Sequence, residues 1–506
     1  MLFNSYEFVF VFLPVCLLVY YLLAKRSRGR GAKLWLIAIS LWFYGSFRAG
    51  YLLILIASML FNYGAVLGMS RVKESISFCR KGILAAGILG NLGLLSYFKY
   101  VNFFIENINA FGGDLPLLQA ALPIGISFFT FSQISFLVDN YGGEIKSCGF
   151  MDYVLYISYF PKLVEGPIVS HAQMLPEFEK IGKIGFNAER FMRGLCLFIF
   201  GMLKKVILAD TFGGAVDYGY SNLGSMHGTD AALLVIFYAL QLYFDFSGYI
   251  DMAIGISRMF NIDLPINFNS PYKAQNIVDF WKRWHITLNR FFTKYVYIPL
   301  GGNRQGLWRM YRNLLIVFLL SGLWHGSGMG INNSWKFILW GMLHGVLYVF
   351  TRMWQRRISE PKEGSAAQNL KASVLRGIKV LFTFGYVSIA WVYFRAESVA
   401  QGNELLRLVI KGGFVRVNKD LAEYFNLDEF WYILKVLHLD GWVYGHYIMM
   451  FAITAFSLLL VFFGPNAMEI SGKIKPKAWS AVIMAGLFLW CILAFSNVSS
   501  FLYFNF

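Results

Sequence analysis

Residues 230–258 read DAALLVIFYALQLYFDFSGYIDMAIGISR. Between the flanking Asp230 and Arg258, only Asp245 and Asp251 carry charge. About 20 apolar residues at 1.5 Å per residue carry a helix across a ~30 Å hydrocarbon layer. A run this long predicts a helix buried at membrane depth. Its two carboxylates are costly there, roughly 2.5–3.5 kcal/mol each on insertion scales. Six residues separate them, about 1.7 helical turns, so they do not share a face as a glycosidase-like acid pair would. They either anchor neighbouring helices or loops, or they belong to a site.

The rest of the chain has the same character. Over 506 residues, 57% are hydrophobic, 18% are aromatic and only 14% are charged, whereas a soluble domain carries about 25% charge. That composition predicts an integral membrane protein in contact with lipid and excludes a soluble enzyme, a fibre or a disordered chain. Lys and Arg number 45 against 28 Asp and Glu, a net charge of +17. Such an excess sits on cytoplasmic loops facing anionic lipid. With no long basic tail or recognition motif, no nucleic-acid partner is expected. The five cysteines, Cys16, Cys79, Cys148, Cys196 and Cys491, are scattered singly. They suggest neither a disulfide framework nor a zinc site. Leu2–Leu23 lacks a basic leader and a small-residue cleavage site, so it reads as a retained span.

Apolar stretches recur at 6–24, 33–47, 50–69, 82–100, 120–138, 150–165, 190–209, 230–258, 312–326, 334–353, 377–395, 447–464 and 479–497. Several are interrupted, as at Pro123, Pro161 and Gly166-Pro167. Broken helices persist at membrane depth only where protein or a water-filled cavity satisfies the freed backbone. The expected fold is therefore all-α and polytopic, with re-entrant and broken helices in its middle. The acid-free cluster Lys25, Arg26, Arg28, Arg30 and Lys33 places its loop in the cytoplasm and the N-terminus outside. The loops around Arg71–Lys81, Arg352–Lys379 and Lys473–Lys477 are likewise cytoplasmic. The nearly charge-balanced segment 396–446 is expected outside, and so is the aromatic tail 497–506.

Residues 279–294 interleave Lys282, Arg283, Arg290 and Lys294 with Trp281, Trp284, Phe291 and Phe292. This pattern suits an interfacial amphipathic helix. It equally suits a site for an aromatic, phosphate-bearing ligand, because Arg and Lys pair with phosphates and indoles stack on a base. His325 ends an apolar span in Gly322-Leu-Trp-His-Gly, where it either caps the helix or acts as a general base on an alcohol. His285 lies inside the basic aromatic segment, as an interface anchor or a second site residue. His344, in Gly341-Met-Leu-His-Gly, reads first as a packing histidine. No histidine pair at helical spacing supports a metal site, so no metal is expected.

Leu122-Pro-Ile-Gly-Ile-Ser-Phe-Phe-Thr-Phe, Phe160-Pro-Lys-Leu-Val-Glu-Gly-Pro-Ile, Phe244-Asp-Phe-Ser-Gly-Tyr-Ile-Asp-Met-Ala, Phe280-Trp-Lys-Arg-Trp-His and Leu323-Trp-His-Gly stand in this order. Together they resemble the membrane-bound O-acyltransferase family, in particular its bacterial branch that acetylates alginate and peptidoglycan. The similarity covers about residues 120–350, which is the expected catalytic core of one domain spanning 1–506. Glu165 departs from a stretch that is often less charged in that branch. The resemblance implies a funnel through the membrane, with His325 as the catalytic histidine and His285 as the second polar position. It implies acetyl-CoA as acyl donor arriving from the cytoplasm. Lys282, Arg283, Arg290, Trp281 and Trp284 would then meet the donor. In the tail Ser499-Ser-Phe-Leu-Tyr-Phe-Asn-Phe, Tyr503 is similar in position to a tyrosine that carries the acyl group outward, although an interfacial aromatic belt is the plainer reading.

The function expected on these grounds is O-acyl transfer at the cell membrane. Acetyl from cytosolic acetyl-CoA would reach an exported polysaccharide or peptidoglycan, with an extracytoplasmic acetyltransferase partner completing the reaction. The alternatives are a transporter or flippase for a lipid-linked sugar, for which no inverted repeat is visible, and a lipid-acylating member of the same family.

Overall fold

A computed structural model describes the chain except residues 28, 73–75, 120, 146–148, 327–330, 358–365, 427–434, 439–443, 476, 498, 500 and 503–506. The described residues contain helices and no strand. A π-helical turn, Phe8–Phe12, leads without a break into α1 (Leu13–Arg26), with Pro14 at the junction. Then come α2 (Arg30–Gly45), α3 (Ala49–Arg71), α4 (Ser77–Lys99), α5 (Val101–Ala110) and α6 (Ile126–Tyr141). Short pieces follow: α7 (Phe150–Ser158), α8 (Phe160–Leu163) and α9 (His171–Glu179). The centre is built from α10 (Ala188–Met202), α11 (Asp210–Ser221) and α12 (Gly228–Met259). Two further short helices, α13 (Ile277–Arg283) and α14 (Ile286–Phe292), precede the long α15 (Leu307–His325), α16 (Ile331–Gln355) and α17 (Ala366–Arg395). The chain ends through α18 (Val399–Lys411), α19 (Lys419–Glu423), α20 (Gly445–Phe462), α21 (Ala467–Lys473) and α22 (Ala478–Leu493).

Each apolar stretch read from the sequence overlaps one or more of these helices. Six are long and apolar enough to cross a membrane: Phe8–Arg26, Ala49–Arg71, Ser77–Lys99, Gly228–Met259, Ala372–Arg395 and Gly445–Phe462. The remaining stretches form shorter, interrupted or more polar helices. In the most apolar window of α12, 83% of residues are buried, against 17–44% in the other five spans. The helix of the opening stretch is thus the central mast. The others turn residues such as Phe10, Leu53, Phe382 and Phe451 outward, as lipid contact requires.

Helix α10 lies against α12 at glycine contacts one heptad apart. A Cβ on Gly194 would come within 2.6 Å of the Gly255 carbonyl oxygen, and one on Gly201 within 2.6 Å of the Gly248 oxygen. Only small residues allow helices this close, and in lipid that approach drives association through dispersion. The π-helical turn after α10, Leu203–Ala209, presents two lysines to α12. Lys204 pairs with Asp251 at 2.6 Å and Lys205 with Asp245 at 2.8 Å. Both intramembrane acids are therefore anchors, each neutralised by a cation of the neighbouring helix. Lys205 also reaches Asp210 at 2.8 Å.

The broken middle is buried. Every residue from Tyr153 to Val169 is shielded from solvent, although α7 stops at Ser158 and regular helix ends at Leu163. Its freed backbone is answered by side chains, as it must be. Phe160 N donates to Ser40 Oγ at 3.1 Å, Ile168 N donates to Thr287 Oγ1 at 3.0 Å, and the Tyr156 hydroxyl donates to the Val169 carbonyl at 2.8 Å. Gly125, at φ 71°, caps α6 against this segment, where a Cβ would stand 2.8 Å from the Leu163 oxygen. Tail and mast also meet. Leu502 N donates to Asp245 at 3.0 Å and Ser499 Oγ to Asp210 at 2.6 Å, while the buried Phe501 ring lies 4.9 Å from that of Tyr249.

Candidate active site

The basic aromatic segment is two short helices joined at His285. Asn276 caps α13 by accepting from Asp279 N at 2.9 Å. The chain turns extended at Trp284, and His285 adopts φ 45°, ψ 53°. A left-handed backbone is uncommon for a residue with a Cβ. Here Asn289 fixes it, its amide donating to the carbonyls of Trp281 and Trp284 at 2.5 and 2.7 Å. Asn267 Oδ1 accepts from Thr287 N at 3.1 Å and from Thr287 Oγ1 at 3.0 Å, and lies 3.2 Å from His285 Nδ1. A backbone N–H can only donate, so the Asn267 atom at this junction is its oxygen. His285 Nδ1 must then donate too, which leaves a lone pair on Nε2 of the neutral ring. That nitrogen is buried without a hydrogen-bond partner among the described residues.

His325 ends α15 in an aromatic cage. Its ring centroid lies 4.5 Å from Trp324, 4.9 Å from Phe394 and 5.2 Å from Trp340. Gly322 and Gly341 let α15 and α16 touch backbone to backbone, at the Phe337 and Phe318 carbonyls, and so fix the height of the imidazole. A small cavity of about 40 Å³ opens beside it, lined by Leu122–Phe128, Val164, Glu165, Trp324, His325 and Lys99. The ring of Trp324 also stands 6.4 Å from that of His285. The two histidines therefore flank one indole.

A second, larger cavity of about 680 Å³ is lined by Phe291, which clusters with Phe131 and Trp324. These rings stack, at 4.3 Å between Phe131 and Phe291 and 5.5 Å between Phe131 and Trp324. The cavity walls include Trp281, Lys282, Ile286, Thr287, Arg290, Lys294 and Arg352. Lys282 and Arg290 are exposed on this wall, whereas Lys294 is held by Asp139 at 2.9 Å and Glu144 at 2.6 Å. Of the five residues expected at the donor, Trp281, Lys282 and Arg290 line this cavity. Arg283 turns away to Asp279 at 2.8 Å, and Trp284 is buried among Phe268, Phe280 and Trp391. His344 is also buried, against Trp281 at 5.2 Å and Trp340 at 5.0 Å, with neither ring nitrogen hydrogen-bonded among the described residues. Tyr503 lies outside the described residues.

The family model described as MBOAT, the membrane-bound O-acyltransferase family, matches residues 42–393. The chain belongs to this family. The acyltransferase is 38% identical over 456 residues to a peptidoglycan O-acetyltransferase of Helicobacter pylori, covering 84% of this chain and 83% of that protein. It is 36% identical over 407 residues to a probable alginate O-acetylase of Pseudomonas aeruginosa, covering 79% and 73%. A teichoic acid D-alanyltransferase of Bacillus subtilis matches at 29% over 251 residues, 46% of this chain and 60% of that one. The protein is thus a multi-pass, helical O-acyltransferase. The candidate site also contains residues that sequence reasoning missed. Asn267 and Thr287 orient His285, and Lys99 lines the His325 cavity. In the sequence Lys99 looks like an ordinary cation anchoring the end of a span, and Asn267 like one of several turn residues before Pro271.

Proposed function

We propose that this protein takes acetyl groups from cytosolic acetyl-CoA and passes them across the membrane for O-acetylation of an exported or cell-wall polysaccharide. The observation that carries this reading is the pair of histidines flanking Trp324, with a basic aromatic cavity on one side and a small polar cavity on the other. Lys282 and Arg290 suit the phosphates of the donor, and Trp281 gives its base or pantetheine an aromatic wall. Arg352 joins them from a segment whose charge bias marks it as cytoplasmic. Arg283 and Trp284 brace the segment instead of meeting the donor. The named activities of the relatives, peptidoglycan and alginate acetylation, support acetyl as the group and a polysaccharide as its destination.

His325 acts as general base on the acceptor hydroxyl. The hydroxyl oxygen adds to the acyl carbon, the C–S bond breaks, and the thiolate of CoA leaves with the proton. His285, with its lone pair on Nε2, orients a hydroxyl or thiol donor at the same junction. Tyr503 is the proposed first acceptor, a phenol that carries the acetyl group to an extracytoplasmic acetyltransferase partner. The docking of Ser499 and Leu502 on Asp210 and Asp245 supports a tail held close to the protein. Replacement of His325 tests the reading. His325→Ala is expected to insert in the membrane at wild-type levels and to abolish polymer acetylation in cells. Normal acetylation in that variant rejects the assignment.

A further inference from the structure

The small cavity beside His325 holds a lysine that the steps above leave unused. Lys99 ends α4, is 3% exposed and lines that cavity. Other lysines at this depth have polar partners: Lys204 and Lys205 pair with aspartates, Lys336 bonds the Ala396 carbonyl, and Lys162 has Ser132 Oγ at 3.4 Å. Lys99 has neither an ion pair nor a hydrogen bond among the described residues. Its ammonium end faces the rings of Trp324 at 5.4 Å and Tyr100 at 6.0 Å. Glu165 shares the cavity wall but lies in the field of Lys205 and Asp245 and forms no ion pair with Lys99. A cation–π contact offsets at most about 2 kcal/mol, while burying an ammonium costs several kcal/mol. Packing alone therefore does not explain a lysine at this depth.

Chemistry does. Addition of a hydroxyl to a thioester places negative charge on the carbonyl oxygen, and stabilising that charge is a large term in acyl transfer. Of the two histidines, His285 presents a lone pair and His325 is the base, so neither offers a donor to the oxyanion as it forms. We propose that Lys99 is a catalytic residue whose ammonium receives this oxyanion in the His325 cavity. As the O–C bond forms and His325 takes the hydroxyl proton, the carbonyl π pair moves onto oxygen beside Lys99. On collapse that pair returns, the C–S bond breaks, and the thiolate leaves with the proton from His325. The proposal rests on the reading of His325 as general base.

The test follows release of CoA thiol from acetyl-CoA by the detergent-solubilised full chain. Lys99→Met keeps the length and apolar stem and removes the charge. It is expected to lower kcat about 10²–10³-fold, the range for loss of an oxyanion partner, with KM within threefold and a Tm no lower than wild type. A kcat within threefold of wild type overturns the proposal. So does a lowered Tm or failure to fold, because either makes Lys99 a structural cation. His325→Ala is run alongside: wild-type turnover there defeats the general-base reading, whereas loss in His325→Ala with an unaffected Lys99→Met defeats the Lys99 proposal alone.

Discussion

Lys282 and Arg283 are adjacent in sequence and opposite in role, and a single backbone step of about 100° separates them. Lys282 lines the large cavity, while the Arg283 guanidinium is fixed by Asp279 one helical turn back. If the cavity takes a polyphosphate donor, reversing the cavity cation should weaken binding without touching chemistry. Lys282→Glu and Arg290→Glu are each expected to raise KM for acetyl-CoA about tenfold with kcat within twofold. The effect should shrink at high salt, because screening acts on exposed charges. Arg283→Gln should leave KM within twofold. Equal effects in all three, measured by CoA release, would place the donor elsewhere. The sequence shows four cations in the segment but not this division, because the turn at His285 depends on Asn267 and Asn289, both outside the Phe280–His285 motif.

Among the elements, α10 and α12 show best what was legible. The apolar run of α12 and the acids inside it are plain in the sequence, and the expectation that Asp245 and Asp251 anchor neighbours agrees with their pairing to Lys205 and Lys204. The partner helix was not legible, because a glycine heptad says that something comes close without saying what. Likewise Pro161 and Gly166-Pro167 announce a break, yet the groups that satisfy it, Ser40 and Thr287, lie 120 and 119 residues away. The burial of Lys99 depends on the way the 122–128 segment folds over the end of α4, which no local pattern encodes. The glycine contact itself is open to test. A Cβ at Gly248 meets the Gly201 oxygen at 2.8 Å, so Gly248→Val must push α10 off the mast. Overpacking costs typically 1–3 kcal/mol and more where backbone is the obstacle. A clear fall in Tm of the solubilised protein is expected, while Gly50→Val, where nothing lies within 4 Å, should behave as wild type.

At the scale of the whole molecule, two asymmetries bear on one direction. Basic residues gather on loops that charge bias assigns to the cytoplasm, and Arg352, at the edge of one such loop, lines the large cavity together with Lys282 and Arg290. The His325 cavity lies beyond the stacked rings of Phe131, Phe291 and Trp324. A water-soluble donor with several phosphates cannot cross the bilayer, so it reaches only the cavity that faces its own compartment. The arrangement predicts sided catalysis. Inside-out membrane vesicles carrying the protein should release CoA from externally added acetyl-CoA, and right-side-out vesicles should do so only after permeabilisation. Equal rates in the two intact preparations, with leakage controlled by an encapsulated dye, would reverse the assigned orientation. The charge-bias topology would fall with it, while the geometry around His325 would stand.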